Sequence, residues 1–264
     1  MDAGRAAKVA VTVVGTLCQA LAVGPGDVVA LVGGGGKTAA LYRLGWELAA
    51  RGVPVVLGGT ARFTPPEGGP PPNLLVLAEQ DPAPALPPEG PWPLTVTTGH
   101  GSKGRLLPVP VAWVDTWHAR HPDWVIVLEA DGSAMRPFKA PAAHEPVIPP
   151  SATLVVPVVG IDAVGRPLDD THVHRHEIVA ALTGAKPGAP VTEDVIAATL
   201  RHPSGGRKGV PPGARWVPLI NKADNPQRLA HAQRLAALLA AEAERVVIAR
   251  LRGEPPVVRV VERG

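Results

Sequence analysis

The stretch from Asp27 to Thr38, which reads D-V-V-A-L-V-G-G-G-G-K-T, restricts the fold of this chain more than any other segment. Its first residues, Val28 to Val32, are apolar and mostly β-branched, and they predict a short buried strand. The residues after Thr38 have helical periodicity, with Leu41, Leu44 and Leu48 on one face. A strand, a glycine loop and a helix in this order predict a phosphate-binding loop in an α/β protein.

Each part of the loop has a function in phosphate binding. Consecutive glycines allow several backbone N–H groups to turn toward one anion, and the following helix directs its positive end toward the same point. Lys37 adds a positive charge, and the Thr38 hydroxyl is a ligand for Mg²⁺. Leu31 stands where the usual pattern has its first glycine, so the loop is a shortened variant. We expect the phosphates of a nucleotide to be bound by Gly33, Gly34, Gly35, Gly36, Lys37 and Thr38.

The glycines also fit a dinucleotide-binding pattern, G-x-G-x-x-A, formed by Gly34, Gly36 and Ala39. That pattern requires a carboxylate about 20 residues further on, where it binds a ribose. The next predicted strand, Val53 to Leu57, is followed by Gly58-Gly59-Thr60 and has no acid at its end. The phosphate-loop interpretation is therefore favoured.

Two acidic residues follow the apolar strand predicted at Trp124 to Leu128. Glu129 and Asp131 are two residues apart, so their side chains point the same way in an extended chain. A carboxylate after a buried strand commonly completes a phosphate-loop site by holding Mg²⁺. Either acid can fill this role together with Thr38, and the predicted catalytic residues are Lys37, Glu129 and Asp131.

The segment from Ser133 to Pro150 is too rich in proline for a helix or a strand and predicts a long ordered loop. Its Arg136 and Lys139 follow the carboxylates closely enough to offset phosphate charge. His144 and Glu145 carry side chains suited to proton transfer or metal binding, with a structural function as the alternative for His144. Lys139, His144 and Glu145 are therefore candidate ligand-binding residues.

A second nucleotide signal follows the strand predicted at Arg215 to Ile220, where the sequence reads N-K-A-D. A carboxylate is an acceptor only and matches the adjacent N1–H and N2–H₂ donors of guanine, whereas adenine has an acceptor at N1. We expect Asn221, Lys222 and Asp224 to read the base, the alternative being that Asp224 only caps a helix. This favours GTP over ATP as the ligand.

Together these patterns predict an α/β chain with a P-loop NTPase-like three-layer fold and a mostly parallel central sheet. Residues 17–264 are expected to form a single domain, and residues 1–16 a tail or short leader. Residues 64–93 are so rich in proline that we expect a surface excursion. Helices are predicted at 38–51, 111–120, 175–182, 193–200 and 229–239, and further strands at 74–77, 94–98, 153–159, 246–250 and 257–261.

Composition limits the classes of partner. The 264 residues include 26 basic and 23 acidic ones without a lysine block, and no apolar run is long enough for a membrane span, so we predict neither nucleic-acid nor membrane binding. Cys18 is the single cysteine, which excludes an intrachain disulfide and fits a cytoplasmic protein. Residues 9–23 resemble a signal peptide in part, but polar residues interrupt them, and a nucleotide site needs the cytoplasmic nucleotide pool.

Three histidines, His172, His174 and His176, alternate in the segment T-H-V-H-R-H-E. On a strand they would share one face, as zinc ligands do, whereas a helix that begins near Arg175 would scatter them. The sequence leaves this metal site open. Asp162, which follows the strand predicted at 153–159, is a further minor site candidate.

The succession of motifs resembles the YqeC family, a group of accessory proteins of selenium-dependent molybdenum hydroxylases. The block around Lys139, His144 and Glu145 is the most specific part of the likeness, which spans about Leu17 to Arg250. The chain departs from the family after the second strand, where relatives tend to carry a threonine-rich stretch and Thr60 is here the one hydroxyl before Arg62. The matching segments are V-A-L-V-G-G-G-G-K-T, V-L-E-A-D-G-S, P-F-K-A-P-A-A-H-E-P-V-I-P, V-V-P-V-V-G-I-D, V-H-R-H-E and N-K-A-D.

The resemblance implies a nucleotide-binding fold and a function in maturing a selenium-containing molybdenum cofactor, with molybdenum hydroxylases or cofactor-maturation proteins as partners. Together with the motifs it favours a Mg²⁺-dependent hydrolase of GTP or ATP. Two alternatives stay open. One is an ATP-dependent kinase or Mur-like ligase, whose loop the shortened G-G-G-G-K-T also resembles, and the other is a nucleotide-gated scaffold or chaperone without catalysis.

Overall fold

The computed structural model describes residues 10–12, 15–78 and 83–263. Residues 1–9, 13 and 14 of the predicted tail or short leader and residues 79–82 of the proline-rich excursion lie outside the described part. The strands are β1 (Ala10–Thr12), β2 (Val28–Gly33), β3 (Val55–Gly59), β4 (Leu74–Val76), β5 (Leu94–Thr97), β6 (Val125–Glu129), β7 (Phe138–Lys139), β8 (Leu154–Gly160), β9 (Val173–His174), β10 (Arg215–Trp216), β11 (Leu219–Asn221), β12 (Arg245–Ala249) and β13 (Val257–Glu262). The helices are α1 (Leu17–Ala20), α2 (Lys37–Ala49), α3 (Val111–Arg120), α4 (His176–Thr183), α5 (Glu193–Arg201) and α6 (Pro226–Leu239).

A large, mostly parallel sheet organises the molecule. Its strand order is β1-β13-β12-β11-β8-β2-β6-β3-β5-β4, with β10 also paired to β8. The pairings of β13 with β1 and β12 are antiparallel, whereas β2, β3, β6, β8 and β11 pair in parallel. β7 and β9 form a separate two-stranded parallel ladder. The predicted α/β fold with a mostly parallel central sheet is confirmed.

Helices cover both faces of the sheet and make three layers. α1 and α2 pack on one face, against side chains such as Val29 and Leu31 of β2. The alternate residues Val28, Ala30 and Val32 face the other side, where α3 packs, and α4, α5 and α6 cover the region around β11 and β12. Because β2 is buried on both faces, it reads as a continuous apolar run. This layering fits the predicted P-loop NTPase-like arrangement.

The helix after the glycine loop packs tightly on the sheet. Leu41, Leu44 and Leu48 of α2 are buried, as their spacing predicts, and burial of each leucine stabilises the fold by about 2 kcal/mol. A Cβ at Gly45 would lie 2.6 Å from Leu57 Cδ1, so this glycine allows α2 to approach β3 closely. Within the described residues, no helix combines the length and apolar character that crossing a membrane requires.

Some elements differ from their predicted bounds. The strand predicted at 215–220 is divided into β10 and β11, because Pro218 between them has no N–H to donate to a ladder. The strands predicted at 246–250 and 257–261 are present as β12 and β13. Residues 10–12, from the part predicted as a tail, pair with β13 as β1.

The proline-rich excursion lies against the edge of the sheet and against α3. Within it, β4 forms the last strand of the sheet next to β5. Trp117 of α3 donates its indole N–H to the Pro84 carbonyl at 2.7 Å, and Ala83 and Leu86 are buried in the same cluster as this tryptophan. The expected core position of the Trp113–Trp117 pair is confirmed, with 5.8 Å between the ring centroids.

Candidate phosphate-binding site

The strand order reverses at β2. The chain passes from β2 through α2 to β3 on one side, and from β6 to β8 on the other. Ligands of open parallel sheets bind outside the carboxyl ends of the strands at such a point. The glycine loop lies there, directly after β2.

The loop has a backbone conformation that favours glycine. Gly33, Gly35 and Gly36 have φ angles of 90°, 78° and 148°, values that side chains disfavour. A Cβ at Gly35 would lie 2.2 Å from the Gly160 nitrogen, and one at Gly36 would lie 2.2 Å from Asn221 Nδ2. The loop therefore needs glycine both for its dihedral angles and for close contact with its neighbours.

Several amides of the loop are bound within the protein. Gly34 donates its N–H to the Val158 carbonyl at 2.9 Å, and Gly35 donates to the Arg136 carbonyl at 3.1 Å. These bonds fix the loop against β8 and against the segment after β6. The first N–H groups of α2 have no acceptor within the helix by geometry, so they are the backbone donors best placed for an anion.

Lys37 and Asp131 form a buried pair over the loop. The Lys37 ammonium donates to the Gly33 carbonyl at 2.6 Å and lies 3.2 Å from Asp131 Oδ1, and the two side chains are 4% and 2% exposed. Asp131 Oδ2 also accepts the Gly33 N–H at 2.9 Å. The carboxylate thus holds both the start of the loop and its lysine.

Thr38 and Glu129 form a second contact at the N-terminus of α2. The Thr38 hydroxyl donates to Glu129 Oε1 at 2.6 Å. Burial raises the pKa of Glu129, and the charges of Lys37 and Arg105 and the Thr38 hydrogen bond oppose this rise. A hydroxyl and a carboxylate are oxygen ligands of the kind that Mg²⁺ prefers, so this pair fits the ion chemically.

The structure gives different surroundings to the two acids that the sequence left as alternatives. Glu129 contacts Thr38, whereas Asp131 contacts Gly33 and two lysines. The predicted function in Mg²⁺ binding therefore fits Glu129 better than Asp131.

Lys139 lies beside the loop but is directed at carboxylates. Its ammonium donates to the Gly132 carbonyl at 2.6 Å and to Glu145, and it lies 3.1 Å from Asp131 Oδ2. An ammonium group has three donors, so its bonding capacity is filled within the protein. The predicted contact of Lys139 with a phosphate would need one of these partners to be exchanged.

Glu145 is buried and His144 is exposed. Burial alone would raise the pKa of Glu145, but the hydrogen bond from Lys139 and the charges of Lys139 and Arg175 outweigh it and hold the pKa below its usual value. Glu145 therefore belongs to the same charged cluster as Lys139 and Asp131, whereas His144 points away from the interior.

Arg175 is a member of this cluster that the sequence did not single out. It precedes α4 in the left-handed conformation, with φ of 60° and ψ of 51°, and its guanidinium donates to Glu145. The sequence signal for it is the segment V-H-R-H-E, in which Arg175 lies between two of the alternating histidines.

The N-K-A-D residues occupy three different environments. Asn221 donates to the Gly35 carbonyl at 2.9 Å and accepts the Leu251 N–H at 3.0 Å, so it ties the glycine loop to the β12–β13 turn. Lys222 pairs with Asp162 at 2.7 Å. Asp224 is half-exposed and pairs with Arg228 at 2.7 Å. Of the three, Asp224 has the most exposed side chain.

The three histidines do not converge. His172 bonds Asp169 at 2.8 Å, while His176 lies in the first turn of α4, 3.3 Å from Glu177. Burial, with the nearby charges of Arg175 and Lys139, lowers the pKa of His174. Among the described residues, no group of three or more histidine, cysteine or acidic side chains is arranged to hold a metal ion.

Thr60 is directed at a neighbouring loop. Its hydroxyl donates to the Val147 carbonyl at 2.5 Å, while its N–H bonds the Glu129 carbonyl at 3.0 Å. The Thr60 amide thus fixes the strand end that carries Glu129, while the Thr60 hydroxyl binds the loop that contains Val147.

Comparisons with known proteins agree with the motifs. A family model described as "YqeC protein" matches residues 29–177, a range that contains the glycine loop, both acids, Lys139, Glu145 and Arg175. The curated "Uncharacterized protein YqeC" of Escherichia coli (strain K12) is 31% identical over 235 residues, which cover 88% of this chain and 90% of that protein. No solved structure matches the chain. From the family model and the relative together, the chain belongs to the YqeC family.

Proposed function

We propose that this protein binds a nucleoside triphosphate, GTP or ATP, together with Mg²⁺ and hydrolyses it. The observation that carries the proposal is the pair of contacts at the N-terminus of α2, where Lys37 meets Asp131 and Thr38 meets Glu129. The Lys37 ammonium and the side-chain oxygens of Thr38 and Glu129 thus lie beside a glycine loop, at the point where the strand order of the parallel sheet reverses.

Different residues of the site have different functions in binding the phosphates. Lys37 exchanges the Gly33 carbonyl for phosphate oxygens, and the first amides of α2 donate to the same group. Thr38 and Glu129 hold Mg²⁺, which when bound neutralises charge on the β- and γ-phosphates. Asp131 keeps Gly33 in position.

The base is read at the end of β11. The carboxylate of Asp224 matches the paired donors of guanine, which favours GTP. Asn221 supports this reading indirectly, because its bonds to Gly35 and to the Leu251 amide join the base-reading segment to the phosphate loop. Guanine selectivity then depends on Asp224 more than on Asn221.

The biological setting of this activity follows from the family resemblance. We infer an accessory function in maturation of the selenium-containing molybdenum cofactor of molybdenum hydroxylases, in the cytoplasm, where the nucleotide pool lies. Hydroxylases or cofactor-maturation proteins are the partners.

Calorimetric titration with GTP and ATP, each with and without Mg²⁺, tests this function. We expect binding tighter than about millimolar, stronger with Mg²⁺ and stronger for GTP; the absence of such binding to either nucleotide would contradict the proposal. Phosphate release measured on the same samples separates the alternatives. A kinase or ligase would release little phosphate until a cofactor precursor is added, and a scaffold would bind nucleotide without turnover.

A further inference from the structure

A buried row of alternating charges extends from the glycine loop to the start of α4. It runs from Lys37 to Asp131, Lys139, Glu145 and Arg175, and each member contacts the next. The first four side chains are at most 9% exposed and Arg175 is 19% exposed. Because these charges are buried, water and salt screen them less than charges on the surface.

We propose that Arg175 is a positioning residue for the phosphate site. By holding Glu145, it holds Lys139 and therefore Asp131, the carboxylate that binds the Gly33 amide. The effect on Gly33 does not require a nucleotide, whereas the effect on phosphate binding rests on the function proposed above.

The backbone places Arg175 beside Lys139. In the β7–β9 ladder, His174 pairs with Lys139, and Arg175 is the next residue. Arg175 adopts a left-handed conformation that costs a residue with a side chain about 1 kcal/mol or more. This conformation occurs where the side chain turns toward Glu145.

The members of the row depend on one another because Asp131 and Glu145 compete for Lys139. Lys139 is shared between Asp131 and Glu145. Arg175 supplies Glu145 with a second cation, so Glu145 does not draw Lys139 away from Asp131. Loss of Arg175 would shift Lys139 toward Glu145 and loosen Asp131, which is then left to the Gly33 amide and Lys37.

The row also balances charge when a phosphate binds. It contains three cations and two carboxylates. Once Lys37 turns to a phosphate, the remaining two cations and two carboxylates are neutral together. Without Arg175 they would carry one net negative charge beside an anionic ligand, and binding would weaken.

The Gly33 amide reports on the position of Asp131 directly. We compare three variants of the full chain without nucleotide, Arg175→Met, Arg175→Lys and Arg245→Met, by ¹H–¹⁵N spectra and amide exchange. Arg245 is the control because it also forms an ion pair, with Glu262 at 2.9 Å, and lies in β12, which contributes no residue to the row. In Arg175→Met we expect a displaced Gly33 resonance and exchange on the order of tenfold faster, with partial recovery in Arg175→Lys and no change in Arg245→Met.

An unchanged Gly33 amide in folded Arg175→Met, or an equal change in Arg245→Met, would overturn the proposal. If Arg175→Met does not fold, Arg175→Gln is measured in its place against the same two outcomes. The second readout is the Kd for GTP with Mg²⁺, which we expect to rise about tenfold in Arg175→Met and to recover in part in Arg175→Lys. A wild-type protein that binds no nucleotide would refute the proposed function, and the Gly33 amide would still decide the positioning function of Arg175.

Discussion

The Thr38 hydroxyl is the smallest group on which the proposed function depends. Thr38→Val keeps the size of the side chain but removes the donor to Glu129 and the oxygen for Mg²⁺. We expect the affinity for GTP to fall about tenfold with Mg²⁺ and to change little without it. Calorimetry in Mg²⁺ and in EDTA measures both values.

Thr171→Val is the matched control, because Thr171 is exposed and lies outside the loop. It should leave binding unchanged under both conditions. Equal losses of affinity in Mg²⁺ and in EDTA for Thr38→Val would show that the hydroxyl acts on the fold of the loop and not on the ion.

Glu145 ties the stability of the protein to pH. Its folded-state pKa lies below the usual value of about 4.3, because Lys139 and Arg175 favour the charged form over the opposing effect of burial. The stabilisation is therefore fully present above the unfolded-state pKa and is lost as the pH falls through the lower, folded-state pKa. We expect Glu145→Gln to reduce the free energy of unfolding by roughly 3 kcal/mol at pH 7, the low end for a broken buried ion pair.

Urea unfolding between pH 7 and about pH 3 checks this expectation. The difference in the free energy of unfolding between wild type and Glu145→Gln should narrow below about pH 4.3, because Glu145 of the wild type becomes protonated and loses its charge. Glu89→Gln, at an exposed position, is the control. A difference that stays constant over the whole range would assign the loss to packing and not to charge.

At the scale of elements, regular patterns were predictable from the sequence. Three such patterns are the apolar run of β2, the leucines of α2 and the strand before Glu129. The residue spacing of each is typical of only a strand or only a helix, and each element lies where its pattern predicted. N-K-A-D follows its strand for the same reason, although the structure places Asn221 on the glycine loop. The position of the loop at the carboxyl end of β2, beside the ends of the neighbouring parallel strands, follows from the parallel topology.

Short elements made by long-range contacts were not predictable. The β7–β9 ladder has two residues in each strand, too few for any periodicity, and it joins segments more than 30 residues apart. The contact of Arg175 with Glu145 depends on this ladder. Likewise, β1 is a three-residue strand whose partner, β13, lies at the other end of the chain.

A comparison of Gly35 with Gly52 distinguishes a glycine that is needed for space from one that is needed only for its backbone dihedral angles. The φ angle of Gly35, 78°, is close to that of Gly52, 74°. Gly52 follows α2, and a Cβ added there would have no atom within 4 Å. Gly52→Ala should therefore cost about 1 kcal/mol of stability and leave nucleotide binding intact. Gly35→Ala should cost more and abolish GTP binding, because its Cβ would meet the Gly160 backbone at 2.2 Å.

Thermal unfolding and a GTP titration of the two variants measure these effects. If Gly35→Ala bound GTP as tightly as Gly52→Ala, the close packing of the loop against Gly160 would not be needed for the site.

At the scale of the whole molecule, the loop joins segments that are far apart in sequence. It is bonded to β8, to the segment after β6 and, through Asn221, to the β12–β13 turn. A nucleotide held there should stabilise the folded chain by about 2.7 kcal/mol at a concentration 100-fold above its Kd. For a protein of this size, that corresponds to a rise in Tm of roughly 5–10 °C.

Scanning calorimetry with GTP and Mg²⁺ tests this linkage. The rise in Tm should grow with the logarithm of the nucleotide concentration, as expected for a ligand that binds the folded state. A Tm that does not depend on nucleotide would contradict it.

The most direct test of the central claim, that the first amides of α2 and Lys37 bind the phosphates of a nucleotide, is the Kd for GTP with Mg²⁺ of the wild type, Lys37→Ala and Lys186→Ala. Lys186 is an exposed lysine outside the loop and controls for the loss of one charge. We expect Lys37→Ala to weaken binding about 10- to 100-fold, the cost of a charge-assisted hydrogen bond, and Lys186→Ala to bind like the wild type. Equal affinities of all three proteins would contradict the claim.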